Sequence, residues 1–148
     1  MAPIVESIEI VRRPEEVYSY MMDPSHLPEW QESVVRVRRL DEGPAKVGSR
    51  VVVTRRVGGR EREMTSELSE QNPPNNWTIR GVDGPVRGMV NGRIEPVGEG
   101  ERSRVTIELD FESRGIGKLL VPLVVRRQAK AEMPRNMRKL KELLESGK

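Results

Sequence analysis

The 148-residue chain carries 26 Lys or Arg against 23 Asp or Glu, a formal net charge of +3, with two Trp, two Tyr, one Phe and no cysteine. This composition excludes disulfides, thiolate nucleophiles and cysteine–zinc sites, and so few aromatics argue against a base-stacking nucleic-acid platform. A chain of this length buries roughly two thirds of its unfolded surface around one core, so one domain over residues 1–148 is expected, with no metal and no cofactor called for.

The opening "MAPIVESIEIVRRPEE" has charges where a signal peptide needs an apolar run of about 7 to 15 residues, and no segment reaches the roughly 18 apolar residues of a membrane span. A cytoplasmic protein is expected. "IVESIEI" (4–10) alternates, with Ile8 and Ile10 on one face and Ser7 and Glu9 on the other, the pattern of a half-buried strand. Pro14 then opens a helix whose first turn carries Glu15 and Glu16, where acids suit the helix dipole, and Val17, Tyr20 and Met21 form its apolar stripe. In "DPSHLPEW" (23–30), Asp23 caps a turn that begins with Pro24, and Pro28 restarts a second turn carrying Trp30 back to apolar material. The chain's one histidine, His26, could serve as a general acid or base, but its place in a short capped turn makes it a surface residue of the frame.

From Val34 to Phe111 the period becomes two and the punctuation turn-like: "DEGPAKVG", "VGGR", "NPPNN", "DGP", "GEGE". Strands are expected at about 34–40, 49–57, 62–70, 76–82, 86–96 and 103–112, in an antiparallel meander. In the last of them Val105, Ile107, Leu109 and Phe111 alternate with Thr106, Glu108, Asp110 and Glu112, so one face is covered and the other wet. The cover must be the segment after it, which is rich in helix formers and ends with Leu140, Leu143 and Leu144 at helical spacing. Pro122 and Pro134 should kink or break that helix. This segment also holds the basic charge: residues 114–148 contain 10 Lys or Arg and 3 Glu, net +7, leaving −4 for residues 1–113. A solvated helix face accounts for the stripe, so no nucleic-acid partner is expected.

Strand, two short helices, six-stranded meander and long C-terminal helix together resemble the START-like or SRPBCC superfamily, the birch-pollen-allergen fold, and more narrowly its polyketide cyclase/dehydrase-like branch. The residues that carry the likeness are "ESIEI", "RPEEVYSYMMDPSHLPEW", "VGSRVVV", "GPVRGMVNGRIEP", "SRVTIELDFESRGIGKLL" and "MRKLKELLE". The resemblance implies an α+β helix-grip fold, in which a curved six- to seven-stranded antiparallel sheet wraps a long C-terminal helix around an apolar cavity. The sequence supports the cavity separately: with Val86, Val90 and Ile94 inward, Gly88 and Gly92 face inward too and leave volume unfilled. The expected lining is Trp30, Ser66, Trp77, Gly88, Val90, Gly92, Leu109, Leu119 and Leu123.

No catalytic set is legible: no second histidine supports His26, no carboxylate cluster has metal-ligand spacing, and Gly58 and Gly59 read as a hairpin turn. Isolated polar candidates are Glu6, which shares a strand face with Ile8 and Ile10, and Ser66, which shares one with Met64 and Leu68. Arg55, Arg56, Arg80, Arg87 and Arg93 lie on or near strands and are expected mostly on the wet face, paired with acids such as Glu108 and Glu112. One turned inward would suit a carboxylate or enolate oxygen of a ligand. The leading expectation is a binding module for a hydrophobic small molecule such as a lipid, quinone or polyketide. A cyclase or dehydratase using the same cavity is the alternative, and an interaction protein acting through its basic surface the third. The apolar run "LLVPLVV" (119–125) is expected to bury Leu119 and Leu123 toward the cavity and Leu120 and Val124 under loops; the alternative is a gate touching an anionic membrane, held by Arg126, Arg127 and Lys130.

Overall fold

The structure, a computed structural model, describes residues 3–83, 86–113 and 120–146. Strand β1 (Ile4–Ile10) leads into helix α1 (Pro14–Met22), a 3-10 turn (Pro24–His26) and the short helix α2 (Leu27–Trp30). Strands β2 (Val34–Arg39), β3 (Arg50–Val57), β4 (Arg60–Asn72), β5 (Asn76–Gly81), β6 (Val86–Val97) and β7 (Arg102–Ser113) follow, and helix α3 (Leu120–Glu145) closes the fold. One sheet has the order β1-β7-β6-β5-β4-β3-β2, so β1 crosses over to pair with β7 while the other strands run as a meander. Every pairing is antiparallel, and bulges break the register between Val34 and Arg36 and between Leu68 and Glu70. Extra residues of this kind bend a strand and raise its twist, which helps the sheet curl.

Local chemistry sets the first helices. Pro14 sits in the first turn of α1, the Glu16 side chain accepts from the Arg13 amide at 3.3 Å, and Asp23 accepts from the Ser25 amide at 3.0 Å as the cap of the 3-10 turn. His26 is part of the frame and is partly covered at the surface. Its Nδ1–H donates to the Tyr20 carbonyl at 2.8 Å, and its ring stacks on that of Tyr20 with centroids 4.1 Å apart. Tyr20 in turn donates its hydroxyl to Glu29 Oε1 at 2.5 Å.

Helix α3 is continuous through both prolines, so neither of them breaks it. Pro122 falls in the first turn, where an amide has no intrahelical acceptor to lose. Pro134 does remove an interior hydrogen bond, but Met133 and Met137 beside it are buried, as are Leu140 and Leu144 further on, so tertiary packing holds the helix. The core lies between this half of α3, α1 and the sheet, with Ile10, Val17, Ile94, Val105 and Leu140 fully buried. The C-terminal end is fastened to β1: Glu145 accepts from the Val11 amide at 2.7 Å and Lys141 Nζ donates to the Glu9 carbonyl at 2.8 Å. Outward-facing arginines pair on the wet face, Arg56 with Glu61 and Arg93 with Glu95, acids other than the Glu108 and Glu112 expected. No helix among the described residues is long and apolar enough to cross a membrane.

Candidate functional site: an apolar cavity with an inward-facing arginine

Alternation along the strands turns one face of each toward α3. Val51, Val53, Arg55 and Val57 of β3 share that face, as do Met64, Ser66 and Leu68 of β4. With Trp77 and Ile79 of β5, Gly88 and Val90 of β6, and Ile107, Leu109 and Phe111 of β7, they surround a cavity of about 280 Å³. The N-terminal half of α3 is its roof, through Val125, Ala129, Glu132 and Met133 among others, and Met21, Leu27 and Trp30 close the side made by α1 and α2. Exposed residues reach it at Arg39, Asp41 and Arg50 beside the loop after β2, and at Asp83 after β5, so the cavity meets solvent there. Its volume is at the lower end of the roughly 300–1,000 Å³ usual for small-molecule sites.

Of the nine residues the sequence nominates, Trp30, Ser66, Trp77, Gly88, Val90 and Leu109 line this cavity. A Cβ on Gly88 would sit 3.7 Å from Phe111 and 3.8 Å from Leu109, ordinary contact, so the missing side chain does leave usable space. Gly92 is different. A Cβ there would fall 2.2 Å from the Trp77 ring, so this glycine makes a seat for the indole and contributes no open volume. Leu119 lies outside the described residues, as does the side chain of Leu123. Val124 is 53% exposed and does not lie under a loop, whereas its neighbour Val125 reaches the cavity. Glu6 is half-buried on β1 and lies apart from the lining.

Arg55 is the arginine that turns inward, by parity with Val51, Val53 and Val57. Its Nη1 donates to the Ser33 hydroxyl at 3.2 Å, and that hydroxyl donates to Glu132 Oε2 at 3.0 Å. Glu132 Oε2 also accepts from Asn136 Nδ2 at 2.7 Å and from the Ser33 amide at 3.3 Å, while Asn136 Oδ1 takes the Glu32 amide at 3.0 Å. Glu132 and Asn136 are 5% and 7% exposed, one helical turn apart, and satisfy each other and the chain leaving α2. Desolvation lowers the pKa of Arg55, against the attraction of the Glu132 charge, and a guanidinium stays protonated under both influences. Sequence reasoning passed over Glu132 and Asn136, although both fall on the stripe that Ala129, Met133, Met137 and Leu140 define at helical spacing. Among the described residues no group of three or more His, Asp or Glu is placed to hold a metal ion.

The fold has counterparts among solved structures. A protein from Thermus thermophilus superposes with a TM-score of 0.79 at 19% identity, covering 97% of both chains. A START superfamily protein from Mycobacterium smegmatis gives 0.79 at 16% identity over 99% of both, and an aromatase/cyclase from Streptomyces sp. R1128 gives 0.77 at 18% identity over 97% of this chain and 93% of that one. At such identities the likeness is one of fold. No curated protein sequence matches the chain. The family model described as "Polyketide cyclase / dehydrase and lipid transport" matches residues 1–145, and the chain therefore belongs to that family.

Proposed function

We propose that the protein binds a hydrophobic small molecule, a lipid, quinone or polyketide-like compound, in the cavity between the sheet and α3. The observation that carries this reading is the lining itself: valine, leucine, isoleucine and methionine side chains with both tryptophans of the chain, around about 280 Å³. Burying apolar ligand surface there contributes roughly 25 cal/mol per Å² removed from water. Native mass spectrometry of the purified protein tests it. A retained apolar molecule, or uptake of one added molecule per chain, is expected; a protein that takes up none contradicts it.

Transient contact with an anionic membrane belongs to the same proposal. Val124 is exposed, and the exposed Arg127 and Lys130 follow it on α3, so Val124 can enter an interface while the cations meet headgroups. Flotation with anionic vesicles that weakens as salt rises supports this, and no binding at low salt removes it.

The second reading, a cyclase or dehydratase, draws on the Arg55–Ser33–Glu132 chain of hydrogen bonds at the cavity wall. Glu132 would move a proton and Arg55 would hold an enolate oxygen. Glu132→Gln tests the second reading through turnover of a polyketide-like substrate, which is lost if Glu132 moves the proton and kept if it does not.

A further inference from the structure

Most of the cavity wall asks for hydrocarbon, but one side chain does not fit that demand. Arg55 brings a full positive charge to the same face as Val51, Val53 and Val57, and among the described residues no carboxylate forms an ion pair with it. The nearby Glu132 is engaged elsewhere, its Oε2 accepting from the Ser33 amide, the Ser33 hydroxyl and Asn136. Among the described residues the guanidinium makes one side-chain hydrogen bond, to Ser33 Oγ, which fixes the fork while leaving further donors. A charge at an apolar wall whose carboxylate neighbour, Glu132, is linked to it only through the Ser33 hydroxyl is costly unless something else completes it.

We infer that Arg55, oriented by Ser33, is the head-group subsite of the cavity, and that the protein selects apolar molecules carrying a carboxylate. A planar carboxylate matches the guanidinium fork through two parallel hydrogen bonds. Glu132 and Asn136 are positioning residues here: they hold Ser33, and Ser33 holds the fork. The inference rests on the cavity being a binding site, as proposed above.

Both tryptophans of the chain line the cavity, so intrinsic fluorescence reports its occupancy. The probes are decanoate and 1-decanol, matched in chain length, titrated below their aggregation concentrations into the wild-type protein, Arg55→Met and Arg55→Lys. Methionine keeps an unbranched side chain of similar reach without the charge, and lysine keeps the charge without the fork. The wild type should bind decanoate about ten- to a hundredfold more tightly than decanol, the range for a charge-assisted hydrogen bond in a desolvated site. Arg55→Met should abolish that preference, while Arg55→Lys should keep part of it. Equal affinities in the wild type, or a preference that survives Arg55→Met, overturn the inference and leave the cavity reading standing. If neither probe binds the wild type, both fall. Should Arg55→Met fail to fold by circular dichroism, Arg55→Gln replaces it with the same expected loss, and the wild-type comparison stands in any case.

Discussion

The same substitution at two glycines, four residues apart on one strand, should change stability in opposite directions. Gly88 and Gly92 both lie on the inner face of β6, and neither has a positive φ, so an alanine fits the backbone at each. At position 88 the new methyl meets Phe111 and Leu109 at 3.7–3.9 Å, normal van der Waals distance. Gly88→Ala should therefore stabilise by about 0.5–1 kcal/mol, the usual gain from removing a strand glycine. At position 92 the methyl would lie 2.2, 2.4 and 2.7 Å from three carbons of the Trp77 ring. That ring is 3% exposed and set edge-on to Tyr18 with centroids 5.8 Å apart, so it has little room to retreat. Overpacking of this kind costs about 1–3 kcal/mol, more than the backbone gain, so Gly92→Ala should destabilise. With roughly 2–4 °C per kcal/mol for a chain near this size, calorimetry should show Tm rising by a few degrees at most for Gly88→Ala and falling by several for Gly92→Ala. Shifts of the same sign and size would refute the distinction between an open glycine and a filled one.

Three further outcomes follow from the frame around the cavity. Trp30→Ala should cost about 3–5 kcal/mol in chemical denaturation, because the indole is 8% exposed and closes the cavity beside α2; a cost below about 1 kcal/mol would mean that the ring packs against little. His26→Gln should leave ligand affinity within about twofold, since His26 is outside the lining and acts through Tyr20; a loss of about a hundredfold would return it to a catalytic role. Thermal stability should be level above the ordinary carboxylate value of 4.5 and decline as pH falls below it. Hydrogen bonds from Arg135 hold Glu32 below that value, and those from Lys141 and the Val11 amide do the same for Glu145. A depressed carboxyl contributes stability only while ionised, so a Tm that rises on acidification through about pH 4 would contradict this assignment.

The order of elements was legible because turn residues punctuate the chain: every strand edge expected from the sequence falls within two residues of the observed one. Which face a residue takes was harder to read where both faces are covered. In β3 the run Val52, Val53, Thr54 is buried throughout, so hydrophobicity sets no parity there, and the inward turn of Arg55 emerges only once pairing with β2 and β4 fixes the register. Gly92 was misread for a related reason, since its inward position is correct but its space belongs to Trp77, a cross-strand partner that spacing along one strand does not reveal. Pro134 does not break α3, because the packing of Met133 and Met137 outweighs the hydrogen bond it removes.

The central claim, that the space between sheet and α3 takes up one apolar molecule per chain, is tested most directly by titrating 1-decanol into the wild type and Gly88→Leu while following tryptophan emission. The leucine would extend from a position with ordinary clearance into the cavity, beside Phe111 and Leu109. Saturable one-to-one binding by the wild type, with at least roughly tenfold weaker binding by a folded Gly88→Leu variant, is the predicted result. Equal binding by both proteins, or none by the wild type, would contradict it.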